Sequence, residues 1–462
     1  MEREITKRTG DENSLRTILV KEHLRLLVKK EGDLEKKSID KEPGSLIGFA
    51  EKKGGRTPFY LPGSSRNLHL YISGKPGTGK STLLLNLALK DILCGRGCCV
   101  IDPHGDLVEN ILEQIPDQTK YAERIMVFDP SDVEHPIGLN ILQDVNVEER
   151  DSAVQFMISL FNKLYLADHM GPMFFQAIRN GLLLIMENQG TLSDLPLIFE
   201  DDEYLKAYLR NCETPRVRNY FEKVWKKWGN DHKSEYSAYY SSKFSHFIDD
   251  RMLRNILCQR QGLDIKSLLN GNRIILVNLS RGKIGDLNSK LLGLLMAYSL
   301  ERSMMRRAEV PENERTLFNV YIDEFQEFTT STLDTFLSAA RKYKVGLHLA
   351  NQSLHQLPKE FNDAVLSNIG TFVIFRQGME SARVLSNMTY PKFDERDLAR
   401  IPDYYAVIHG IKDGRYQDPN MIHIKAPSSK RDREVAKKLN EISKLRHGKD
   451  RKIIEQEILT KI

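Results

Sequence analysis

From residue 69 onward the chain repeats one pattern, in which a short apolar run ends in a polar break and a stretch with helical spacing follows. The runs are "HLYIS" (69–73), "CCVIDPHGD" (98–106), "RIMVFDPSD" (124–132), "RIILVNL" (273–279), "LFNVYIDE" (317–324), "VGLHLANQ" (345–352) and "TFVIFRQ" (371–377). They are nearly continuous in apolar residues and do not alternate with polar ones. Strands of that kind are buried on both faces, as in a parallel sheet covered by helices. The pattern predicts an α/β domain with a mostly parallel central sheet. A last run, "YYAVIH" (404–409), reads as an antiparallel hairpin at the sheet's edge.

Between about 140 and 269 the strand signal stops. "RDSAVQFMISLFNKLYLADHMGPMFFQAIRNGLLLIME", "PRVRNYFEKVWKKW" and "YSAYYSSKFSHFIDDRMLRNIL" all carry helical periodicity. This predicts an all-α domain over 146–270, inserted between an α/β part at 46–145 and a second at 271–427. Residues 1–45 read as a charged helical arm and 428–462 as a basic helical tail. "EKKGGRTPFYLPGSSRN" (51–67) reads as a loop with a short strand. Within the insert, Trp225, Trp228, Tyr236, Tyr239, Tyr240, Phe244 and Phe247 lie among Lys226, Lys227 and Lys243. Aromatics beside lysines can stack on bases, but the helical spacing favours core packing.

Composition narrows the class without naming a function. A chain of 462 residues with 40% apolar content can build more than one core. The net charge of +5 is matched by the tail alone, where Lys430 to Lys461 holds eleven Lys/Arg against six Asp/Glu. Such a tail can attract nucleic acid or an acidic lipid surface, or form an ordinary solvated helix. The five cysteines, Cys94, Cys98, Cys99, Cys212 and Cys258, have no zinc spacing and read as free thiols in a reducing compartment. The charged start "MEREITKRTGDENS" is not a secretory signal, and the longest apolar run, Leu291 to Tyr298, is too short to span a bilayer. The expectation is a cytoplasmic chain with no transmembrane segment of its own, able to sit at the membrane's inner face through a partner.

The chemistry begins at Gly74. "GKPGTGKS" fits G-x-x-x-x-G-K-[ST], and the strand before it and the helix after it supply the required context. Gly74, Lys75, Pro76, Gly77, Thr78, Gly79, Lys80, Ser81 and Thr82 are the candidate phosphate-binding residues. Backbone N–H groups would face phosphate oxygens, Lys80 would reach the β- and γ-phosphates, and Ser81 would ligate Mg²⁺. The helix N-terminus adds positive potential. ATP and Mg²⁺ are the ligands this predicts.

A second apolar run leads directly into Asp323 and Glu324. Asp323 is the candidate for holding water on the Mg²⁺ shell, and Glu324 for polarising the attacking water. Gln352 stands at the end of the "VGLHLAN" strand, where ligands of doubly wound sheets bind, and is placed to sense a γ-phosphate. Arg341, beside the start of that strand, reads either as a surface residue or as one facing a neighbouring subunit. Asp102 and His104 in "DPHGD" raise the question of a metal, but a hydrogen-bonded turn at a strand end is the better reading of one such pair.

The ordered set "GKPGTGKST", "VIDPHGDL", "FDPSDVEHPIGLNIL", "IRNGLLLIME", "RIILVNLSRGKIG", "YIDEFQEF", "ARKYKVGLHLANQ" and "IGTFVIFRQG" resembles the HerA/FtsK superfamily. It resembles most the motor domains of TraG/TraD-type coupling proteins of conjugative type IV secretion, over residues 45 to 425. The resemblance implies a RecA-like P-loop NTPase with an inserted all-α domain, working as a homohexamer that translocates DNA, single- or double-stranded, beside a membrane or secretion-channel partner. It places Lys80, Ser81, Asp323 and Glu324 on the two nucleotide motifs and Gln352 on the sensor position. Arg341 falls where the family has an arginine that reaches a neighbouring subunit's γ-phosphate. Arg376 and Arg281 are weaker candidates for such a role. The chain departs from these relatives in lacking their N-terminal transmembrane helices. Two other readings stay open: a secretion or pilus-assembly ATPase that moves protein, and an ATP-gated scaffold with little turnover.

Overall fold

The computed structural model describes residues 44–52, 55–117, 119–164, 171–329, 333–412 and 415–460. Nearly all of the arm expected over 1–45 lies outside these. The described chain divides into two compact units. One holds the residues up to Phe128 together with Ile265–Arg446, and the other Asp129–Asp264 with His447–Ile462.

The first unit is built on one sheet. Its strands are β1 (Ser45–Lys52), β2 (Gly55–Leu61), β3 (Leu70–Ser73), β4 (Cys98–Asp102), β5 (Ile125–Phe128), β6 (Ile274–Asn278), β7 (Phe318–Ile322), β8 (Val345–Asn351), β9 (Thr371–Ile374), β10 (Tyr405–Lys412), β11 (Arg415–Tyr416) and β12 (Asn420–Ile424). The order across the sheet is β2-β1-β12-β10-β9-β3-β8-β7-β4-β6-β5, with β11 paired to β10. From β9 to β5 every pairing is parallel. These are the apolar runs of the sequence, and β3 to β9 are buried along their whole length.

The edge differs from expectation. β10 is not an edge strand, because it lies between β9 and β12 and is antiparallel to both. The hairpin β1–β2 continues the sheet beyond β12. Residues 51–67, read as a loop with a short strand, contain the whole of β2, which is exposed over nearly its whole length and carries no alternation.

The second unit is helical, with Arg150–Leu164, Pro172–Glu187, Asp202–Arg210, Asn230–Ile248 and Arg451–Leu459 as its longer helices. It begins at Asp129, earlier than the expected 146, because Ile137, Leu139, Ile141 and Leu142 are buried and Leu139 N donates to Ile256 O over 2.8 Å. The aromatic set is its core: Trp225, Tyr240, Phe244 and Phe247 are buried, and Phe161 meets Phe244 at 4.8 Å between ring centroids.

The basic tail is divided. Arg433–His447 buries Val435, Leu439 and Ile442 in the core of the sheet unit, and Ser443 Oγ accepts from Val127 N over 2.7 Å. Arg451–Leu459 belongs to the helical unit, where Arg251 Nε donates to Glu455 Oε1 over 2.6 Å. Among the described residues, no helix is long and apolar enough to cross a membrane.

Candidate functional site

The parallel strands bring their carboxyl ends to one edge of the sheet. Ser73 pairs with Asn351 on one side and Ile374 on the other, so the ends of β3, β8 and β9 are level. The loop after β3 hangs from these neighbours: Gly74 N donates to Asn351 O (3.3 Å) and Lys75 N to Arg376 O (2.9 Å). A side chain at Gly74 would place its Cβ 2.4 Å from Cβ of Phe375, so only glycine fits there. Gly79, at φ 116°, turns the chain into the helix Lys80–Leu93 through a backbone conformation other residues rarely adopt.

Lys80 is buried and folds back on its own loop, with Nζ donating to Gly74 O over 2.6 Å and to Lys75 O over 3.3 Å. Burial lowers its pKa, while Glu324 and Asp323 oppose the shift. Ser81 Oγ donates to Asp323 Oδ2 over 3.0 Å. Asp323 is held at the end of β7 by its N–H to Ile101 O (3.1 Å). Burial, helped by the nearby Glu324 and Asp102 carboxylates, pushes its pKa up to about 6. Ser81, Thr82, Asp102 and Asp323 line a cavity of about 200 Å³. A hydroxyl and a carboxylate converging on a polar cavity form a hard-oxygen donor set of the kind Mg²⁺ takes, with room for its waters. The residues present therefore fit a Mg²⁺-nucleotide.

Glu324 follows in a left-handed backbone conformation (φ 47°, ψ 48°). Its Oε1 accepts from Gln352 Nε2 over 2.9 Å and its Oε2 from Gln326 Nε2 over 2.7 Å. Gln352 is thus brought to the acidic pair as the end of β8 suggests, while Gln326 was not singled out from the sequence. Its only signal was its place two residues after Glu324.

Arg341 is not brought to this site. It precedes β8, and Val345–Asn351 separates it from Gln352. Seven strand residues at about 3.3 Å each span roughly 20 Å, so Arg341 stands at the opposite edge of the sheet, exposed. Its turn is pinned from below. Arg307, 1% exposed, donates from Nη1 to Tyr343 O (2.8 Å), and Arg315 Nη1 donates to Lys342 O (2.9 Å). Arg376 pairs with Asp403 at 2.7 Å, and Arg281 lies 3.5 Å from both Asp286 and Glu327. The Asp102–His104 pair is joined through the backbone. Asp102 Oδ1 accepts from His104 N (2.9 Å) and Oδ2 from Leu107 N (2.8 Å), so the carboxylate closes the turn into the next helix. Among the described residues, no group of three or more His, Cys, Asp or Glu side chains could hold a metal.

Beneath the site lies a buried polar cluster that sequence reading missed. Asp91, on the phosphate-loop helix and 0% exposed, accepts from Arg66 Nη1 (2.6 Å), Asn319 Nδ2 (2.8 Å) and Tyr321 Oη (2.6 Å). Arg66 Nη2 also donates to Tyr321 Oη. His348 Nε2 lies 3.1 Å from Asn319 Oδ1, and its ring stacks on Tyr321. Burial carries the His348 pKa well below its usual value. The cluster ties the helix bearing Lys80 and Ser81 to β7, which bears Asp323. Its signal in the sequence was a charge, Asp91, on the face of a helix that otherwise buries Leu84, Leu87 and Ala88.

Fold and site together define a RecA-like P-loop NTPase. Residues 318–389 match the sequence family described as the TraM recognition site of TraD and TraG. No curated protein matches the chain by sequence. The fold is similar to that of the plasmid coupling protein TrwB in complex with ADP and Mg²⁺ (TM-score 0.57, 14% identity, 88% of this chain and 92% of that one). It is also similar to TrwB with a non-hydrolysable ATP analogue (TM-score 0.55, 15% identity, 88% and 92%). VirB4 of Thermoanaerobacter pseudethanolicus is a third neighbour (TM-score 0.57, 16% identity, 84% and 98%). The resemblance to TraG/TraD-type coupling-protein motors therefore holds in fold, and in sequence over the segment that carries β7, β8 and β9.

Proposed function

We propose that the chain is an ATP-driven DNA translocase of the coupling-protein kind, acting as a ring of identical subunits, a hexamer by the family's pattern, at a type IV secretion system. The observation that carries this is the separation of Arg341 from the phosphate loop. One edge of the sheet has Lys80, Ser81, Asp323, Glu324 and Gln352 together. The arginine expected to stabilise the transferring phosphoryl group stands at the other edge. A site divided in this way is completed when a second copy presents Arg341 to the first copy's nucleotide, and closed rings place every copy in both roles.

In such a site the residues divide the work. Backbone N–H groups of Gly77 to Thr82 and the Lys80 ammonium bind the phosphates, which requires Lys80 to leave the Gly74 and Lys75 carbonyls. Ser81 and Asp323 would hold Mg²⁺, which when bound would offset the negative charge of the phosphates. Glu324 takes a proton from the attacking water, Gln352 senses the γ-phosphate, and Arg341 of the next subunit offsets the developing charge. The TrwB complexes with ADP–Mg²⁺ and with a non-hydrolysable ATP analogue support the nucleotide assignment for this fold. The match to the TraM recognition site of TraD and TraG supports a partner among DNA-transfer proteins.

The test is ATPase activity with and without DNA. Wild type should hydrolyse ATP faster when DNA is added, and Glu324→Gln should bind ATP and turn it over very slowly. Turnover that ignores DNA but responds to a secretion substrate protein would favour the protein-moving reading. ATP binding with no turnover would favour the scaffold.

A further inference from the structure

We propose that Gln326 is a water-positioning residue of the hydrolytic site, holding the Glu324 carboxylate in line and accepting a hydrogen bond from the water that Glu324 activates. This rests on the ATPase reading above and adds to it a residue that the nucleotide motifs do not contain.

The first observation is the clamp. Each Glu324 oxygen accepts from one side-chain amide, Oε1 from Gln352 and Oε2 from Gln326, over 2.9 and 2.7 Å. The two donors differ in how they are mounted. Gln352 directly follows β8 at the sensor position, where an arriving γ-phosphate competes for its amide. Gln326 stands on a short turn fixed on both sides. Phe325 and Phe328 are buried at 0% and 1% exposure, and Phe325 meets Tyr71 at 6.2 Å between ring centroids. Phe328 packs on Gly293, where no side chain would fit. Glu327, between them, faces Lys290 at 3.3 Å. Gln326 is therefore the standing partner of Glu324 and Gln352 the exchangeable one.

The second observation is at the other end of the same amide. Gln326 Oε1 is buried and has no hydrogen-bond partner. The carboxylate next to it requires the –NH₂ group on the Glu324 side, so the orphan atom is the acceptor. A buried unpaired acceptor is costly, and an O–H donor placed beside Glu324 would satisfy it. A water there gives one O–H to Glu324 and the other to Gln326 Oε1, which leaves its lone pair for phosphorus. In the reaction the water oxygen bonds to the γ-phosphorus. The bond from phosphorus to the bridging oxygen breaks, that oxygen leaves on ADP with the electron pair, and the water's proton passes to Glu324.

The experiment is a steady-state and binding comparison on the full chain. Gln326→Met keeps the length and removes both hydrogen bonds. It should lower kcat at least about tenfold, a part of the 10²–10⁴ that a positioned base contributes. KM for ATP and affinity for a fluorescent ATP analogue should stay within about twofold. In a Glu324→Gln background, Gln326→Met should add less than about twofold, because both act on the same water. Gln326→Glu, which sets a second carboxylate against Glu324, should lower kcat at least as far and guards against a misfolded methionine variant. Wild-type kcat in either variant, or the full loss repeated in the Glu324→Gln background, overturns the proposal and leaves the ATPase reading intact. Wild-type protein without Lys80-dependent hydrolysis overturns that reading and this inference with it.

Discussion

The Ser81 hydroxyl donates to Asp323 Oδ2 over 3.0 Å, joining the start of the phosphate-loop helix to the end of β7. The carboxylate in this bond is 5% exposed, and its pKa lies near 6, above the ordinary 3.8. A raised acid is protonated below its folded pKa, so, if Asp323 holds Mg²⁺ as proposed, the carboxylate is available above pH 6 and is lost below it. Mg²⁺ affinity in the presence of ADP should be level above that pH and fall about tenfold per unit beneath it. Titration calorimetry at pH 6 in two buffers of different ionisation enthalpy should show proton release on binding. Buffer-independent heats at pH 6 would contradict this assignment.

Lys80 Nζ is committed to the carbonyl oxygens of Gly74 and Lys75. Phosphate must draw it away, so Lys80→Ala should lose the attraction to the β- and γ-phosphates while its loop, hung from Asn351 and Arg376, stays in shape. Affinity for ATP should drop at least about tenfold, with ADP less affected. Equal losses for ATP, ADP and AMP in a fluorescence titration would mean that the lysine does not reach the terminal phosphates.

Arg341 and Gln352 lie at opposite edges of the sheet, which makes the neighbour test direct. Arg341→Ala should bind ATP normally and lose hydrolysis by on the order of 10³ or more, the range of known arginine fingers. Mixed with Lys80→Ala subunits, it should regain part of the activity, because some interfaces then pair an intact loop with an intact arginine. Lysine should not replace it, for want of the planar fork. Exchange of subunits with no recovery would remove the divided site.

Asp91 anchors Arg66, Asn319 and Tyr321 where no water reaches. Removing one member of a buried pair strands the other, so Asp91→Ala should cost about 3–5 kcal/mol of stability. Arg66→Met combined with Asp91→Leu should cost less than the single change. The neighbouring histidines make the fold acid-sensitive. His69 is lowered to about 4 and His348 well below its usual value, both chiefly by burial. Both are neutral in the folded chain while the unfolded chain gains their protons below about pH 6.5. Stability from this source is present above 6.5 and lost as pH falls toward 4, with the protonation of Asp323 opposing it below 6. Urea midpoints between pH 7 and 5 should fall less steeply in His348→Asn, and an unchanged slope would refute the assignment.

The tail's cations are largely engaged within the fold. Arg433 lies 3.3 Å from Glu113, Lys438 3.4 Å from Asp117, and Arg451 2.9 Å from Glu134. Deleting the tail would strip core residues, so surface neutralisation is the cleaner probe. Changing Lys437, Lys438 and Lys444 to Gln should leave the fold intact and flatten the salt dependence of DNA affinity by much less than the roughly one unit per phosphate contact of a free basic arm. A loss of about three units would make the tail a DNA-binding surface.

The local chemistry of this chain was written in short stretches that need no partner elsewhere. "GKPGTGKS" announces a phosphate loop because its glycines and lysine act within one turn, and β3 to β9 announce a parallel sheet because strands buried on both faces must be apolar throughout. What joins distant residues was decided by tertiary structure. Strand order set Gln352 beside Glu324, whereas Arg341 stands a strand's length away because β8 itself lies between them. The short strand read within 51–67 finds its place only by pairing with β1, a partner its polar sequence does not name. The second half of the tail joins the helical unit through Glu455, and Asp91 finds Arg66 and Tyr321 only when helix and sheet pack. Gln326 lies two residues after Glu324 in sequence, yet the bond between their side chains forms across a left-handed turn at Glu324. Periodicity records which face of an element is buried, and only packing determines what that face meets.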